Sequence, residues 1–173
     1  MTQIIKSTRI ILLILAGLLI LYLIWQNFSP IGSQTIIFDL KDNKFISKLN
    51  PDARITEPEC NESLCTQTIF GDPVYFDLLL ARNFKSLNIE LTYQSEESID
   101  VRLGMQVKEG WNYMIKNKSS EVESNGSKTA SYSFPLSSAW KNNRHINFLI
   151  SIPELQSSDK KVIIRSLRFD LQR

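Results

Sequence analysis

The sequence has few of the residues on which catalytic and metal sites are usually built. Its 173 residues include one histidine, His145, and two cysteines, Cys60 and Cys65. No G-x-S-x-G motif is present, and His145 belongs to no recognisable catalytic triad. A structural zinc site usually needs four Cys or His ligands, which is more than the chain contains. We therefore predict that the protein is not an enzyme of the nucleophilic type and holds no structural zinc.

An excess of charge of one sign is also lacking. The chain has 20 basic and 18 acidic residues, and two of the basic ones, Lys6 and Arg9, precede a long apolar run. Without these two, 18 basic residues balance 18 acidic ones. A nucleic-acid-binding protein is expected to show a clustered basic excess, whereas the charges here alternate in sign. The sequence therefore argues against a nucleic-acid partner.

No charged residue occurs between Arg9 and Asp39, and this region holds the longest apolar run of the chain. The run reads IILLILAGLLILYLIW from Ile10 and reaches nineteen residues when it is extended through Phe28. As a helix it would be roughly 28 Å long, which is close to the hydrocarbon thickness of a bilayer. Basic residues before the run and aromatic residues at its far end match the positive-inside rule and the aromatic belt. We therefore predict a transmembrane helix over residues 10–28, with the bilayer as a partner.

A cleaved signal peptide also begins with a short basic lead and an apolar core. The run here is longer than the core of about 7 to 15 residues usual in such peptides, and no small-x-small cleavage site follows it. We therefore favour an uncleaved signal anchor, with cleavage as the alternative. The predicted organisation is a cytoplasmic lead at 1–9, the anchor at 10–28, a tether at 29–34 and an exported domain at 35–173. The expected location is the cell membrane, with a single pass and an extracytoplasmic C-terminal domain.

Both cysteines lie in the predicted exported domain. In an oxidising compartment Cys60 and Cys65 are expected to pair. A redox pair would favour the spacing C-x-x-C, and a metal half-site would need further ligands nearby. We therefore predict a disulfide that closes a small loop.

Beyond the tether, apolar and polar residues alternate with the period of two that is typical of β-strands. We expect a hairpin over residues 35–49. The run at 74–82 predicts a central strand covered on both faces, or one at an interface. Loops are expected at 50–62 and 116–128, and a hairpin loop at 94–98. The remaining predicted strands are 66–70, 87–93, 99–107 with its continuation at 111–115, 132–136, 146–152 and 163–171. About eight or nine strands and no further helix indicate an all-β fold, an antiparallel β-sandwich.

Two stretches resemble a known type of domain. The order of features in residues 73–115 (PVYFDLLLARNFKSLNIELTYQSEESIDVRLGMQV, then Trp-Asn-Tyr) resembles the centre of jelly-roll domains of the galactose-binding and carbohydrate-binding-module type. Residues 162–171 (VIIRSLRFDL) are similar to the closing strand of those domains. The chain also looks like uncharacterised single-pass membrane proteins of bacteria. The resemblance implies a jelly-roll-like β-sandwich with a binding role.

Sugar binding would need exposed, roughly coplanar aromatic rings on which pyranose faces stack. The available rings are Trp111, Tyr113, Tyr132 and Trp140. Because Trp111 and Tyr113 share a strand face with Ile115, we expect these two rings to lie in the core. Trp140 stands in a predicted loop and is expected to be the most exposed ring.

The same resemblance implies a possible structural calcium ion, because such domains often bind calcium through loop carboxylates. Hard cations need several oxygen ligands. Asp39, Asp42 and Asp170 could supply them only if the first and last strands adjoin. No other cofactor is expected.

The sequence thus predicts a membrane-tethered, non-catalytic binding or assembly module whose partner is a cell-envelope polysaccharide or an envelope protein. A glycan partner predicts exposed rings, and a protein partner predicts an apolar patch or an exposed strand edge. The alternative is a cell-envelope hydrolase with a shallow carboxylate site. That alternative requires the carboxylates of Glu96, Asp100, Glu121 and Glu123 to converge.

Overall fold

The alternating residues of the chain build two β-sheets that face each other across one core. The structure is a computed structural model that describes residues 2–28, 32–61, 64–95, 99–156 and 160–173, and in the N-terminal helix it describes the side chains of 11–24. The chain divides into two compact units, Met1–Gly32 and Ser33–Arg173. We call the second unit the β domain.

The first unit is one helix, α1, at Thr2–Phe28. The large apolar side chains described between Ile11 and Ile24 are exposed. Among the residues that the structure describes, no helix is both long enough and apolar enough to cross a membrane. The helical conformation predicted for residues 10–28 is observed, and the membrane-spanning role stays a prediction. Residues 29–31 of the predicted tether lie outside the described residues.

The β domain contains eleven strands in its described part, which is more than the eight or nine expected. They are β1 Gln34–Phe38, β2 Glu59–Cys60, β3 Cys65–Ile69, β4 Val74–Leu79, β5 Ser86–Gln94, β6 Arg102–Lys108, β7 Asn112–Lys116, β8 Ser120–Ser124, β9 Ser127–Pro135, β10 His145–Ser151 and β11 Val162–Gln172. Short 3₁₀ helices occur at Asp52–Arg54, Leu136–Ser138 and Pro153–Gln156.

The strands form two antiparallel sheets. One sheet has seven strands in the order β2-β3-β11-β5-β9-β8, with β1 also beside β11, and the other has four in the order β4-β10-β6-β7. All the paired strands run antiparallel. The predicted antiparallel β-sandwich is therefore confirmed.

Four phenylalanines join the two sheets at the centre of the core. Phe76 of β4 and Phe148 of β10 stack with ring centroids 5.5 Å apart in the four-stranded sheet. Phe169 of β11 meets Phe76 edge-on at 5.8 Å, and Phe134 of β9 meets Phe148 edge-on at 5.7 Å. All four are at most 1% exposed. Offset and edge-to-face contacts of this kind are favourable beyond the area they bury.

The hairpin predicted over residues 35–49 is wrong. β1 pairs with β11, with Ile36 opposite Phe169. Residues 46–50 instead run beside β4 in the other sheet, with an isolated bridge between Ile46 and Leu78. Alternation shows that both segments turn apolar residues inward, but it does not show which sheet each segment joins.

Two further expectations about the central strands need correction. β4 is the end strand of its sheet and buries only alternate residues, so Tyr75 and Asp77 lie partly exposed on the outer face. β5 and β6 belong to different sheets, so the connection over 94–98 crosses between sheets instead of forming a hairpin. Residues 96–98 of this connection lie outside the described residues.

The predicted loop at 116–128 contains a hairpin. β8 pairs with β9 through Asn125 and Gly126, which have φ values of +51° and +69°. Positive φ at both central residues is the geometry of the type I′ turn that Asn-Gly favours. All five residues of β8 are exposed, so the sequence carries no alternation there to mark a strand.

Cys60 and Cys65 form a disulfide, as predicted. The two residues lie opposite each other in the β2–β3 pair. The bond therefore closes the short turn between two strands at one edge of the seven-stranded sheet.

A buried tyrosine holds edge strand β8 against the core. The Tyr93 side chain is fully buried, and its hydroxyl donates to Oε1 of Glu121 at 2.5 Å. Lys118 Nζ lies 2.7 Å from Oε2 of the same carboxylate. Burial alone would raise the pKa of Glu121, but the hydrogen bonds from Lys118 and Tyr93 and the charges of Lys118 and Lys128 bring this pKa below its ordinary value. The ionised carboxylate is thus favoured in the folded state.

We predict that Glu121→Gln lowers the melting temperature at pH 7 by about 2–4 °C, because about 1 kcal/mol of charge-assisted hydrogen bonding is lost. A folded-state pKa below the unfolded value stabilises the protein above the unfolded pKa and stops doing so as pH falls through the folded pKa. The difference in melting temperature between wild type and variant should therefore disappear as the pH drops below about 4. Thermal melts across pH measure it, with Glu123→Gln as the control for charge removal. An equal gap at pH 3 and pH 7 would contradict the assignment.

Candidate functional site

A groove lies on the outer face of the four-stranded sheet. Its volume is about 730 Å³. The residues that line it are Asn50, Tyr75, Asp77, Gln106, Gly110, Trp111, Tyr113, Trp140, Asn142, Asn143, His145 and Asn147. Most of these side chains are polar or aromatic, and they come from the sheet, from the β6–β7 turn and from the loop before β10.

A row of polar side chains crosses the sheet and forms the floor of the groove. Asp77 of β4 is opposite Asn147 of β10, and Gln106 of β6 is opposite Tyr113 of β7. The β10–β6 pairing, with Phe148 opposite Met105, places Asn147 next to Gln106. One outward-facing residue from each of the four strands therefore lies in the same row.

The floor is connected by directed hydrogen bonds. Asn147 Nδ2 donates to Asp77 Oδ1 at 2.8 Å, and the Tyr113 hydroxyl donates to Asn147 Oδ1 at 2.5 Å. A carboxylate can only accept, so the Asn147 atom that faces Asp77 must be the amide nitrogen. This orientation leaves the amide oxygen for Tyr113. Burial, and then the neighbouring Tyr75 and Asp77, raise the pKa of Tyr113, so its hydroxyl keeps the proton it donates.

An apolar row lies beside the polar one. Tyr75 is opposite Leu149, which is opposite Gly104, and Gly104 is opposite Ile115. A Cβ on Gly104 would come within 2.8 Å of Ile115 Cδ1 and 2.9 Å of Leu149 Cγ. The absence of a side chain at Gly104 therefore lets the two neighbouring apolar side chains meet over β6.

Three aromatic rings cluster above this row. The Tyr75 ring centroid is 5.5 Å from that of Trp111 and 6.2 Å from that of Tyr113. The planes are tilted by 57° and 43°, so these rings lack the rough coplanarity that sugar binding was expected to need. Trp111 is 79% exposed. The cluster therefore presents angled apolar faces to a ligand.

The β6–β7 turn that carries Trp111 is held by a hydrogen bond from a side chain of the groove floor. Gln106 Nε2 donates to the carbonyl of Gly110 at 2.6 Å. Gly110 has a φ of +82°, a conformation that side chains other than glycine rarely adopt. The floor residue Gln106 thus positions the turn next to Trp111.

Another wall of the groove is the loop that carries Trp140. The Trp140 backbone N–H donates to the Gln106 carbonyl at 2.9 Å. Asn143 and Arg144 both have positive φ, at +49° and +69°, and form a two-residue turn between the bridged residues Asn142 and His145. This turn leads directly into β10.

Arg144 ties the turn to the end of β4. Its Nε donates to the Leu80 carbonyl at 2.9 Å, and its Nη2 donates to the Ala81 carbonyl. The Leu80 N–H in turn donates to the Arg144 carbonyl at 2.9 Å. The wall is therefore held at both ends, at β6 through Trp140 and at β4 through Arg144.

The structure brings together three of the four rings that the sequence singled out. Trp111 and Tyr113 face the groove, so the expectation that they lie in the core is wrong. Trp140 is partly buried and lines the same groove, while Trp111 is the more exposed ring. Tyr132 is fully buried and donates to the Val101 carbonyl at 2.6 Å, so it contributes to the core and not to the groove.

The predicted calcium ligands are not brought together. β1 and β11 do adjoin, which was the condition for the site. However, Asp170 pairs with Arg168 at 3.1 Å, and Asp39 and Asp42 pair with nearby lysines at 3.8 and 3.3 Å. Within the described part of the chain, no group of three or more His, Cys, Asp or Glu residues could hold a metal ion.

Sequence reasoning missed Tyr75, Asp77, Gln106 and Asn147. The signal for the first two was present, because polar Asp77 interrupts the apolar run at 74–82 and shares its strand face with Tyr75. Gln106 and Asn147 look like ordinary outward residues of alternating strands. Only the sheet order reveals that they adjoin.

The fold is that of carbohydrate-binding modules. No protein-family model matches the sequence, and no curated protein matches it. The chain is similar in structure to the xylan-binding module CBM15, with a TM-score of 0.52 and 16% identity over 82% of this chain and 99% of that one. It also matches the C-terminal CBM6 of LamC from Zobellia galactanivorans, with a TM-score of 0.45 and 13% identity over 79% and 98% of the two chains. The predicted resemblance to jelly-roll β-sandwiches of this type is confirmed for the fold.

We predict that Arg144→Lys loosens the Trp140 wall, because lysine keeps the charge but cannot bond to two carbonyls with a rigid fork. Hydrogen exchange of the amides in 139–145 should become at least about threefold faster, while exchange in β5 stays unchanged. Lys141→Arg, next to Trp140, is the matched control. Unchanged exchange at 139–145 in the Arg144 variant would show that the turn does not depend on this side chain.

Proposed function

We propose that the β domain is a non-catalytic glycan-binding module that takes a polysaccharide chain into the groove. The observation that carries the proposal is the cluster of Tyr75, Trp111 and Tyr113 above a polar floor, in a groove that Trp140 also lines. Such a site offers apolar faces for the C–H surfaces of pyranose rings and hydrogen-bonding groups for their hydroxyls. Concave sites with aromatic walls and a few placed polar groups are the usual form of ligand pockets.

The tilt of the rings favours a single glycan chain over a flat crystalline surface. A flat array of sugar chains would need coplanar rings in order to contact several of them at once, whereas these planes differ by 43° and 57°. A single chain can turn successive sugars to meet angled faces. The xylan-binding name of one structural neighbour makes xylan the first polysaccharide to test.

The hydrolase alternative has little support from the geometry. Glycoside hydrolysis usually needs two carboxyl groups that flank the scissile bond. Asp77 is the only carboxylate among the described residues that line the groove. Glu121 and Glu123 lie on β8 in the other sheet, and Asp100 pairs with Arg102 at 2.6 Å. Glu96 lies outside the described residues.

A protein partner is supported less well than a glycan. The sequence-based criterion was an apolar patch or an exposed strand edge, and β8 does form one end of the seven-stranded sheet. However, its Glu121 and Glu123 flank a single exposed valine, Val122. Charged side chains on an edge strand disfavour pairing with another strand.

We further propose that α1 tethers the module to the cytoplasmic membrane and that the β domain is extracytoplasmic. The uncharged run after Lys6 and Arg9 supports the anchor and its orientation. The Cys60–Cys65 disulfide supports an oxidising compartment, where such bonds form and persist. A tethered module of this kind would hold an envelope polysaccharide near the bilayer.

We predict that Trp111→Ala weakens binding to soluble xylan or another bound polysaccharide by at least about tenfold, because exposed central aromatics dominate binding energy. Trp140→Ala should weaken binding as well. Isothermal titration of the full chain in detergent against xylan, mixed-linkage β-glucan and glucomannan measures the effect. Val122→Ala, an exposed apolar residue on the other sheet, is the control. Equal affinities for all three variants would remove the groove as the binding site.

A separate prediction concerns the anchor. The wild-type chain should stay in the membrane fraction after alkaline carbonate extraction. The double variant Leu15→Lys, Leu18→Lys should appear in the soluble fraction, because each lysine at the centre of a membrane helix costs about 2.5–3.5 kcal/mol. Ile37→Lys, an exposed residue of the β domain, should leave the wild-type distribution unchanged. A soluble wild-type product that lacks α1 would instead support the cleaved signal peptide.

A further inference from the structure

We propose that the groove selects uncharged polysaccharides and that Asp77 excludes glycans with carboxylate or sulfate groups. This inference rests on the proposed glycan-binding function and names the substrate class of the same groove. It follows from the direction of the hydrogen bonds in the floor and from the charges of the lining residues.

The hydrogen bonds of the floor satisfy one carboxylate oxygen of Asp77 and leave its other oxygen as a free acceptor. The Tyr113 hydroxyl gives its proton to Asn147, and Asn147 gives one amide proton to Asp77. Gln106 donates its amide to the Gly110 carbonyl. The atoms left to a ligand include the acceptors Oδ2 of Asp77 and the Tyr113 oxygen, together with the second amide N–H of Asn147 and of Gln106.

The free oxygen of Asp77 requires a ligand group that donates a hydrogen bond. Each sugar hydroxyl carries one proton that it can give to an acceptor, whereas carboxylate and sulfate groups carry only acceptors. Placing an acceptor against an acceptor leaves both groups without a partner, and an unsatisfied polar group in a site closed by a ligand is costly.

The charges of the lining residues act in the same direction. Asp77 is a carboxylate, and no lysine or arginine is present among the described residues that line the groove. Arg144, the cation next to His145, uses its guanidinium to hold the Leu80 and Ala81 carbonyls. An acidic sugar over the floor would therefore meet the like charge of Asp77 with no lysine or arginine among the described lining residues to pair with, and such juxtapositions oppose binding.

The test compares one polysaccharide in two forms of matched bulk. Each of three polysaccharides is used in turn: soluble xylan, mixed-linkage β-glucan and glucomannan. Each is prepared as a neutral hydroxyethyl ether and as an anionic carboxymethyl ether, with the same degree of substitution in both. The full chain in detergent is titrated with both forms. We expect the wild type to bind the carboxymethyl form about tenfold more weakly than the hydroxyethyl form at low salt.

Two substitutions separate charge from shape. In Asp77→Asn the ratio between the two forms should fall to about twofold or less, because the repulsion is gone. In Asp77→Glu the negative charge remains, so the wild-type preference for the neutral form should persist. Because the readout is a ratio within each variant, a general loss of affinity does not affect it, and melting curves confirm that each variant is folded.

The outcomes distinguish this inference from the proposed function. Wild-type binding of both forms with equal affinity would overturn the charge selection while leaving the glycan-binding function intact. An unchanged ratio in Asp77→Asn would overturn the role of Asp77. If no polysaccharide in either form binds, the proposed function fails and the selection fails with it.

Discussion

The contact among Phe76, Phe148, Phe134 and Phe169 is the constraint on which the rest of the β domain depends. These rings come from four strands of two sheets and fill the space between them. Burial of each phenylalanine contributes about 1.5–3 kcal/mol. The groove depends on the same contact, because Phe76 and Phe148 are the immediate neighbours of Asp77 and Asn147. A shift of one residue in either strand would exchange the core face and the groove face.

The groove is largely held in shape by hydrogen bonds within the protein. Its floor is held by hydrogen bonds across the sheet, and both walls are attached to Gln106, one through a side-chain amide and the other through a backbone carbonyl. Ordering side chains and loops at binding costs free energy, so a site that is already ordered keeps more of its contact energy as affinity. Gln106 therefore influences the ring positions on both sides without carrying a ring itself.

The sequence predicted most strands because alternation reports directly which residues face the core. β5, β6, β10 and β11 follow this pattern, and their inward residues are buried as expected. Partner choice was not predictable, because a strand such as β1 fits either sheet by its pattern alone. β8 was missed because every one of its residues is exposed, so no alternation results.

For the site, alternation placed Trp111, Tyr113 and Ile115 on one face but could not say which face. The apolar character of this set favoured the core, and the structure turns it outward as part of the groove. Asp77, Asn147 and Gln106 meet across β4, β10 and β6 although they are far apart in sequence, so the polar row becomes visible only with the sheet order. Trp140 was identified because it stands alone in a loop, where a large ring has little other reason to occur.

Gly104 makes the apolar surface beside the groove depend on the absence of a side chain at one position. Because even a methyl group there would press on Ile115 and Leu149, the two side chains beneath the rings share a space that no other residue leaves open. A change at this single position would reshape the surface under Tyr75 while leaving every ring and every hydrogen-bonding group of the groove in the sequence.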